Sequence, residues 1–426
     1  MRKILFPIRD AFLTALLGLG FSEGQAQNGC NGERYRYTSA FPEIEVSYDH
    51  VYGGNINALG LQQDLVFDLY TPADDIAVDR ALVVVAHGGF FLAGSNDGAD
   101  VVSICEDLAH MGYVVASISY RLGVDDLFGL QTSMIEAVWR GVHDARAAVR
   151  FFRKSVVEAD NPYGIDPERI LMGGVSAGGF IALHHAYVNQ EDEIPDQIDQ
   201  TAPGMGGGLE GESGNLGYDS DVMGIFNIAG ALHTVDWMAS GDVPLVSVHG
   251  DADQTVPYGT DMLTLTFIPI IEVDGSATIH SAAENLGIEN CLVTLPGLDH
   301  VAHVGNAMAY QQTFSAIAGA MSGWLCADWE MTCETYDYTS SILEFSSLLD
   351  WHLYPNPLRR GELLKWEGVT GVNRIQLMDA TGRTLFNRPT HGMQSIVLDV
   401  PPGVYWMMAL DSQGRALGRS AQIMIQ

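Results

Sequence analysis

The chain has 426 residues, 47% of them hydrophobic and 17% charged, with mean hydropathy +0.09. That is enough apolar material for a large core in two or three domains, and too much for a disordered chain. Its 53 acidic residues outnumber 21 basic ones, for a formal charge of −32. This argues against nucleic acid or an anionic membrane surface as partner, since both are bound with clustered Lys and Arg. Five cysteines exclude a disulfide-stapled mini-domain. Beyond the N-terminus no apolar run reaches the ~20 residues of a membrane-spanning helix.

Residues 1–27 read as an address rather than as structure. Arg2, Lys3 and Arg9 make a positive start, residues 11–21 (AFLTALLGLGF) are an apolar run, and Gly24-Gln25-Ala26 is a small-residue exit. This is the form of a secretory signal peptide, with cleavage expected after Ala26 or Gln27. The competing reading is a buried N-terminal helix. Export permits disulfides.

Residues 28–326 form the second unit, in which short apolar runs alternate with amphipathic stretches. Runs at 82–86, 114–118, 170–172, 223–228, 243–248 and 291–295 predict buried strands. Stretches at 99–110, 135–154, 178–189 and 304–325 predict helices. In the second of these, Ile135, Val138, Val142, Ala145, Val149 and Phe152 repeat at helical spacing. Strand-helix alternation predicts a doubly wound, mostly parallel α/β sheet.

Polar motifs follow these strands in chain order. After 82–86 comes His87-Gly88-Gly89-Phe90-Phe91, whose small residues let backbone amides turn toward a developing oxyanion. Gly89 and Phe90 are assigned that role with Ala177 as third donor; Gly88 with Gly89 is the alternative pair, and His87 is expected to organise the loop. After 169–172 comes Gly174-Val175-Ser176-Ala177-Gly178. A crowded strand-to-helix turn needs tiny residues two before and two after its serine, and it lifts the hydroxyl to the sheet's C-terminal edge. The competing reading is a glycine-rich turn without chemistry. The strand 243–248 ends in His249-Gly250-Asp251-Ala252-Asp253. An acid there can fix a histidine's tautomer. Asp253 is the choice, Asp251 the competitor as a turn residue, and His249 is read as structural. The strand 291–295 leads into Pro296-Gly297-Leu298-Asp299-His300, where His300 could act as general base on Ser176; His303 is the runner-up.

These residues, in the order Ser176, Asp253, His300, make residues 28–326 resemble an α/β-hydrolase of the carboxylesterase/lipase kind with an H-G-G oxyanion loop. Ser119-Tyr120-Arg121-Leu122 also fits that kind, while Phe90 stands where many relatives have glycine or alanine. The resemblance implies a two-step mechanism without metal or organic cofactor. Ser176 attacks a carboxylic ester, His300 takes its proton, Asp253 stabilises the imidazolium, and water cleaves the acyl-enzyme. The alternatives are a prolyl-oligopeptidase-type serine peptidase, against which the lack of a propeller-length region before this unit counts, and a catalytically inactive surface-binding protein with the same fold.

The acidic, glycine-rich segment 191–221 is expected near the mouth of the site, as a mobile lid, a pocket wall or a surface excursion. No large separate cap is visible, so an open cleft is expected, with Phe90, Phe91 and Trp237 as candidate pocket aromatics. His143, His184 and His185 are weak metal candidates, without zinc or calcium spacing. Cys326 and Cys333 are close enough in sequence to bridge, and Cys30, Cys105 and Cys291 leave connectivity open.

Charge marks the last boundary. Residues 27–350 carry 46 acidic and 10 basic residues, whereas 351–426 carry 5 and 8. Residues 327–350, rich in Ser, Thr and acids, read as a linker. In 351–426, strands predicted at 373–378, 395–398, 404–410 and 420–425 alternate with turns at 379–382, 401–403 and 411–414, which predicts a small C-terminal β-sandwich. Tyr354-Pro355-Asn356-Pro357, Asp379-Ala380-Thr381-Gly382-Arg383, Gly403-Val404-Tyr405 and the final short strand resemble the C-terminal sorting domain of the type IX secretion system of Bacteroidota. That resemblance implies outer-membrane export with removal of the tail, then release or surface attachment, with the secretion machinery as partner. The competing reading is a carbohydrate-binding or spacer sandwich.

Overall fold

The apolar runs of residues 28–326 lie side by side in one sheet. The computed structural model describes residues 30, 33–124, 126, 129–265, 268–326, 352–367, 372–378, 384–390, 393–398, 400–410 and 421–425. The signal-peptide reading of 1–27, the linker reading of 327–350 and the turns at 379–382 and 411–414 lie outside these residues.

The elements run β1 (Ile44–Ile56), β2 (Gln62–Pro72), β3 (Arg80–Ala86), α1 (Val102–His110), β4 (Val114–Ile118), α2 (Leu130–Glu158), β5 (Ile165–Val175) and α3 (Ala177–Tyr187). They continue with β6 (Ile225–Ile228), β7 (Ala231–Leu232), β8 (Leu245–Gly250), β9 (Thr260–Leu265), β10 (Ile268–Gly275), α4 (Ser276–Leu286), β11 (Asn290–Leu295) and α5 (Ala307–Leu325). Eight strands form a sheet in the order β1-β2-β4-β3-β5-β6-β8-β11. β2 is antiparallel to both neighbours, and every pair from β4 to β11 is parallel. This mostly parallel sheet fits an α/β-hydrolase. A small antiparallel sheet, β7-β10-β9, stands apart from it.

Helices cover both faces, which is why the central strands are apolar throughout. On β3, Leu82, Val84 and Ala86 join the core under α2 and α3, while Ala81, Val83 and Val85 join the core under α1 and α5. No helix among the described residues is long and apolar enough to cross a membrane.

The two ends of this unit meet. Cys326 is bonded to Cys30 across a sequence separation of 296, not to Cys333 as sequence proximity suggests. α5 returns alongside the N-terminal segment, where Cys30, Tyr35, Leu325 and Cys326 share one core. Cys105 is free and buried.

The segment 191–221 is strapped down rather than loose. Along one face of α2, Arg140, His143, Arg146 and Arg150 are buried, and the last three reach carbonyls of this segment. His143 Nε2 lies 2.9 Å from the Gly208 oxygen, and Arg146 donates to Leu209 at 2.7 Å. Arg150 donates to the Glu210 and Gly214 carbonyls at 2.8 and 2.9 Å and pairs with the Glu210 carboxylate at 2.6 Å. Arg121, fully buried with Asp144 at 2.8 Å, donates to the Gly204 carbonyl. A buried guanidinium must find this many acceptors, and carbonyls of an otherwise irregular loop supply them.

The described residues of the tail form two antiparallel sheets. One is β12 (His352–Tyr354), β13 (Leu363–Glu367) and β16 (Ser395–Val397); the other is β15 (Thr384–Pro389), β14 (Arg374–Met378), β17 (Gly403–Leu410) and β18 (Ala421–Ile425). Leu364 and Trp366 of the first share a core with Ile375, Leu377, Met407 and Ile423 of the second.

The buried histidines make this fold acid-sensitive. Burial pushes His143 and His185 down to about 3 and His184 down to about 4. Their folded pKa values lie below the unfolded value, so the unfolded chain binds more protons as pH falls. Stability should therefore drop from about pH 6.5 downward, by roughly 1.4 kcal/mol per pH unit for each of them, levelling off near their native pKa values. Urea unfolding between about pH 7 and pH 5 measures this; a midpoint that stays constant would contradict it.

Candidate active site

β5 ends at Val175 and α3 begins at Ala177, so the whole reversal falls on Ser176, with φ 53° and ψ −113°. A positive φ at a non-glycine residue costs on the order of 1–3 kcal/mol and must be held by its surroundings. The Ser176 amide donates to the Ile228 carbonyl at 2.8 Å, and the Ser176 carbonyl accepts from the Phe180 amide at 3.0 Å. The serine is 5% exposed.

The structure brings three of the predicted residues into one hydrogen-bonded line. His300 Nε2 lies 2.8 Å from Ser176 Oγ, and His300 Nδ1 lies 2.7 Å from Asp253 Oδ2. The other carboxylate oxygen, Oδ1, accepts from the amides of Thr255 and Val256 at 2.7 and 2.9 Å. Burial pushes the Asp253 carboxyl up, but hydrogen bonds from His249 and His300, the His300 charge and the Val256 amide outweigh it. The group is held well below the ordinary carboxylate range.

The competitors go elsewhere. Asp251 Oδ1 accepts from the Gly297 amide, a turn-holding contact. His303 Nε2 reaches the Asp100 carbonyl at 2.9 Å, and burial lowers its pKa. Asp299, unnoticed in the sequence, joins the two loops: its Oδ1 accepts from the amides of His300 and Gln254 at 2.8 and 2.9 Å.

The loop after β3 lies against the serine. A Cβ on Gly88 would stand 3.3 Å from Ser176 Cβ. The Gly88 amide is already committed, donating to Asp100 Oδ2 at 2.7 Å, so the alternative pairing of Gly88 with Gly89 lacks one donor. Among the described residues, nothing accepts from the amides of Gly89, Phe90 or Ala177. Gly89, Phe90 and Phe91 all have positive φ, at 117°, 57° and 58°. His87 bonds through Nδ1 to the Gly88 carbonyl at 2.6 Å and stacks on Tyr120, whose hydroxyl donates to the His87 carbonyl. Asp100 is the loop's holder. Its signal, one of two aspartates (with Asp97) in the irregular stretch between β3 and α1, is too weak to find by sequence.

Beside Ser176 lies a pocket lined almost wholly by apolar side chains. Phe90, Phe91 and Trp237 all line it, with Met134 and Val138 of α2 and Leu263, Ile271 and Val273 of the β9–β10 hairpin. His184 also borders it, with Nδ1 bonded to the Phe180 carbonyl at 2.8 Å. His185 and His143 are bonded to the Ser220 and Gly208 carbonyls.

This geometry can be set beside known proteins. Residues 67–206 match the BD-FAE family. That stretch holds the loop after β3 and Ser176 and stops short of Asp253 and His300. The chain is 29% identical over 143 residues to carboxylesterase 3B of Mus musculus, covering 33% of this chain and 24% of that protein. It is 33% identical over 116 residues to liver carboxylesterase 1 of Oryctolagus cuniculus, covering 27% and 19%. It thus spans about a quarter or less of the length of the curated relatives it matches. Among solved structures, Thermogutta terrifontis esterase 2 phosphorylated by paraoxon is similar at 24% identity and TM-score 0.47, covering 66% of this chain and 94% of that one.

Proposed function

We propose that this protein is a serine-dependent carboxylic-ester hydrolase. The observation that carries the reading is the line Ser176–His300–Asp253, with three uncommitted amides beside the serine. The similarity to carboxylesterases supports it, as does the family match over residues 67–206. Ser176 Oγ attacks the ester carbonyl carbon while its proton passes to His300 Nε2. Asp253 stabilises the resulting imidazolium through Nδ1–H. The oxyanion takes hydrogen bonds from the amides of Gly89, Phe90 and Ala177. Collapse breaks the bond to the alkoxy oxygen, which leaves with the proton from His300. Water then gives a proton to His300 and attacks the acyl-serine, releasing the acid and restoring Ser176. The apolar cavity favours an uncharged ester with an apolar acyl or alkoxy group.

In the full chain, Ser176→Ala should lower kcat/KM on p-nitrophenyl esters by about 10⁴-fold or more and abolish fluorophosphonate labelling. A folded wild type that neither hydrolyses nor labels would overturn the reading in favour of a binding protein. Asp100→Ala should release the oxyanion loop and lower kcat by about 10- to 100-fold with a smaller change in KM. Unchanged kcat would show that the loop holds its shape without the carboxylate.

The tail's shared core supports a β-sandwich, and its motifs support a sorting role. We infer that residues 1–27 direct the chain through the inner membrane and residues 351–426 present it to the type IX machinery, placing the enzyme outside the cell or on its surface. In a host with that system, the full chain should appear outside the cell and a chain ending at residue 350 should stay in the periplasm. Export of the shortened chain would refute the sorting role.

A further inference from the structure

We propose that His249 is a positioning residue for ester cleavage, a neutral imidazole protonated on Nε2 that holds the Asp253 carboxylate through the same oxygen that His300 meets. This rests on the hydrolase reading above.

His249 stands in β8, 1% exposed, four residues before Asp253. Its Nε2 lies 3.1 Å from Asp253 Oδ2 and 3.2 Å from the Val256 carbonyl oxygen. Both of those atoms only accept, so Nε2 carries the hydrogen. The other nitrogen is fixed by a buried relay. The Gly230 amide donates to Asn227 Oδ1 at 2.9 Å, which turns the Asn227 Nδ2 group toward Ser276 Oγ at 3.0 Å and Ser247 Oγ at 3.2 Å. Ser276 Oγ accepts there, and its own hydrogen is available to His249 Nδ1 at 2.8 Å. Asn227 and Ser276 are fully buried. Every member of the chain is satisfied with His249 neutral, and its one free hydrogen points at the carboxylate.

The consequence lies at Asp253 Oδ2. That oxygen receives two imidazole donors, His300 Nδ1 and His249 Nε2, while Oδ1 is held by two backbone amides. The Asp253 side chain is 0% exposed, so no bulk water replaces a lost donor. Without His249, one lone pair of Oδ2 is unsatisfied and the carboxylate is free to swing about its amide-bound oxygen. Its alignment with His300 then weakens at the step where His300 becomes a cation. His249 exchanges no proton in the reaction and touches no substrate.

The test compares the full-length wild type with His249→Leu and His249→Gln on p-nitrophenyl butyrate. Glutamine keeps an amide donor near the place of Nε2; leucine keeps the bulk without a donor. The expected result is a fall in kcat of about 10- to 100-fold for His249→Leu, with KM nearly unchanged and recovery of most of the activity in His249→Gln. Leucine at wild-type kcat, or leucine and glutamine impaired alike, would overturn the proposal. Nitrogen-15 NMR of histidine-labelled wild type gives a second readout that does not depend on turnover or on the leucine variant folding. It should show the His249 proton on Nε2, protected from exchange; a proton on Nδ1 or a charged ring refutes the assignment. An inactive wild type with the expected His249 signal would sink the hydrolase reading and, with it, the role in cleavage, while a wrong signal in an active wild type would sink His249 alone.

Discussion

A Cβ on Gly178 would lie 2.0 Å from the Ala86 carbonyl oxygen, and one on Gly174 would lie 2.3 Å from the Gly178 carbonyl. α3 can approach the ends of β3 and β5 this closely because both positions lack a side chain. That approach places the serine-bearing turn and the loop after β3 in contact. The uncommitted amides of Gly89 and Phe90 come from the loop after one strand and that of Ala177 from a helix start. Widening the gap by one methyl group would move the turn at Ser176 away from the loop after β3.

Asp253 and His300 arrive from the far side of the same sheet by a different device. β8 and β11 are adjacent and parallel, so the loops leaving them emerge together. Asp299 bridges those loops through two amides. The candidate site is thus assembled at four strand ends, those of β3, β5, β8 and β11, and polar side chains pin the intervening loops. The apolar cavity draws much of its wall from α2 and from the β9–β10 hairpin and is completed by the loop after β3 and the start of α3.

What could be read from residues alone divides along physical lines. Strands buried on both faces announce themselves as continuous apolar runs, and β4 was expected where it lies. β1 and β2 were not foreseen, because antiparallel strands with one open face mix polar and apolar residues; Glu45, Ser47 and Tyr48 of β1 are exposed. The β9–β10 hairpin and α4 escaped for similar reasons, the latter carrying few large apolar residues. In the tail, β12, β13 and β15 were missed. Ser176, Asp253 and His300 were visible because each follows a strand at a turn of characteristic composition. Asp100 and Asp299 were not, since their contribution is a hydrogen bond to backbone 12 and 45 residues away. Cys30 was unpaired in the reading for the same reason of distance.

The placement of the arginines has an effect beyond holding a loop. Of the ten basic residues in 27–350, Arg80, Arg121, Arg140, Arg146, Arg150 and Arg169 are buried, and Arg34, Arg36, Arg153 and Lys154 are half-buried. A protease that cuts after lysine or arginine therefore meets no fully exposed target on the folded α/β unit. The tail is the opposite, with Arg359, Arg360, Lys365 and Arg388 exposed. The exposed lysine and arginine sites among the described residues thus lie in the tail, and the inward-turned arginines that strap the segment 191–221 are withdrawn from solvent at the same time.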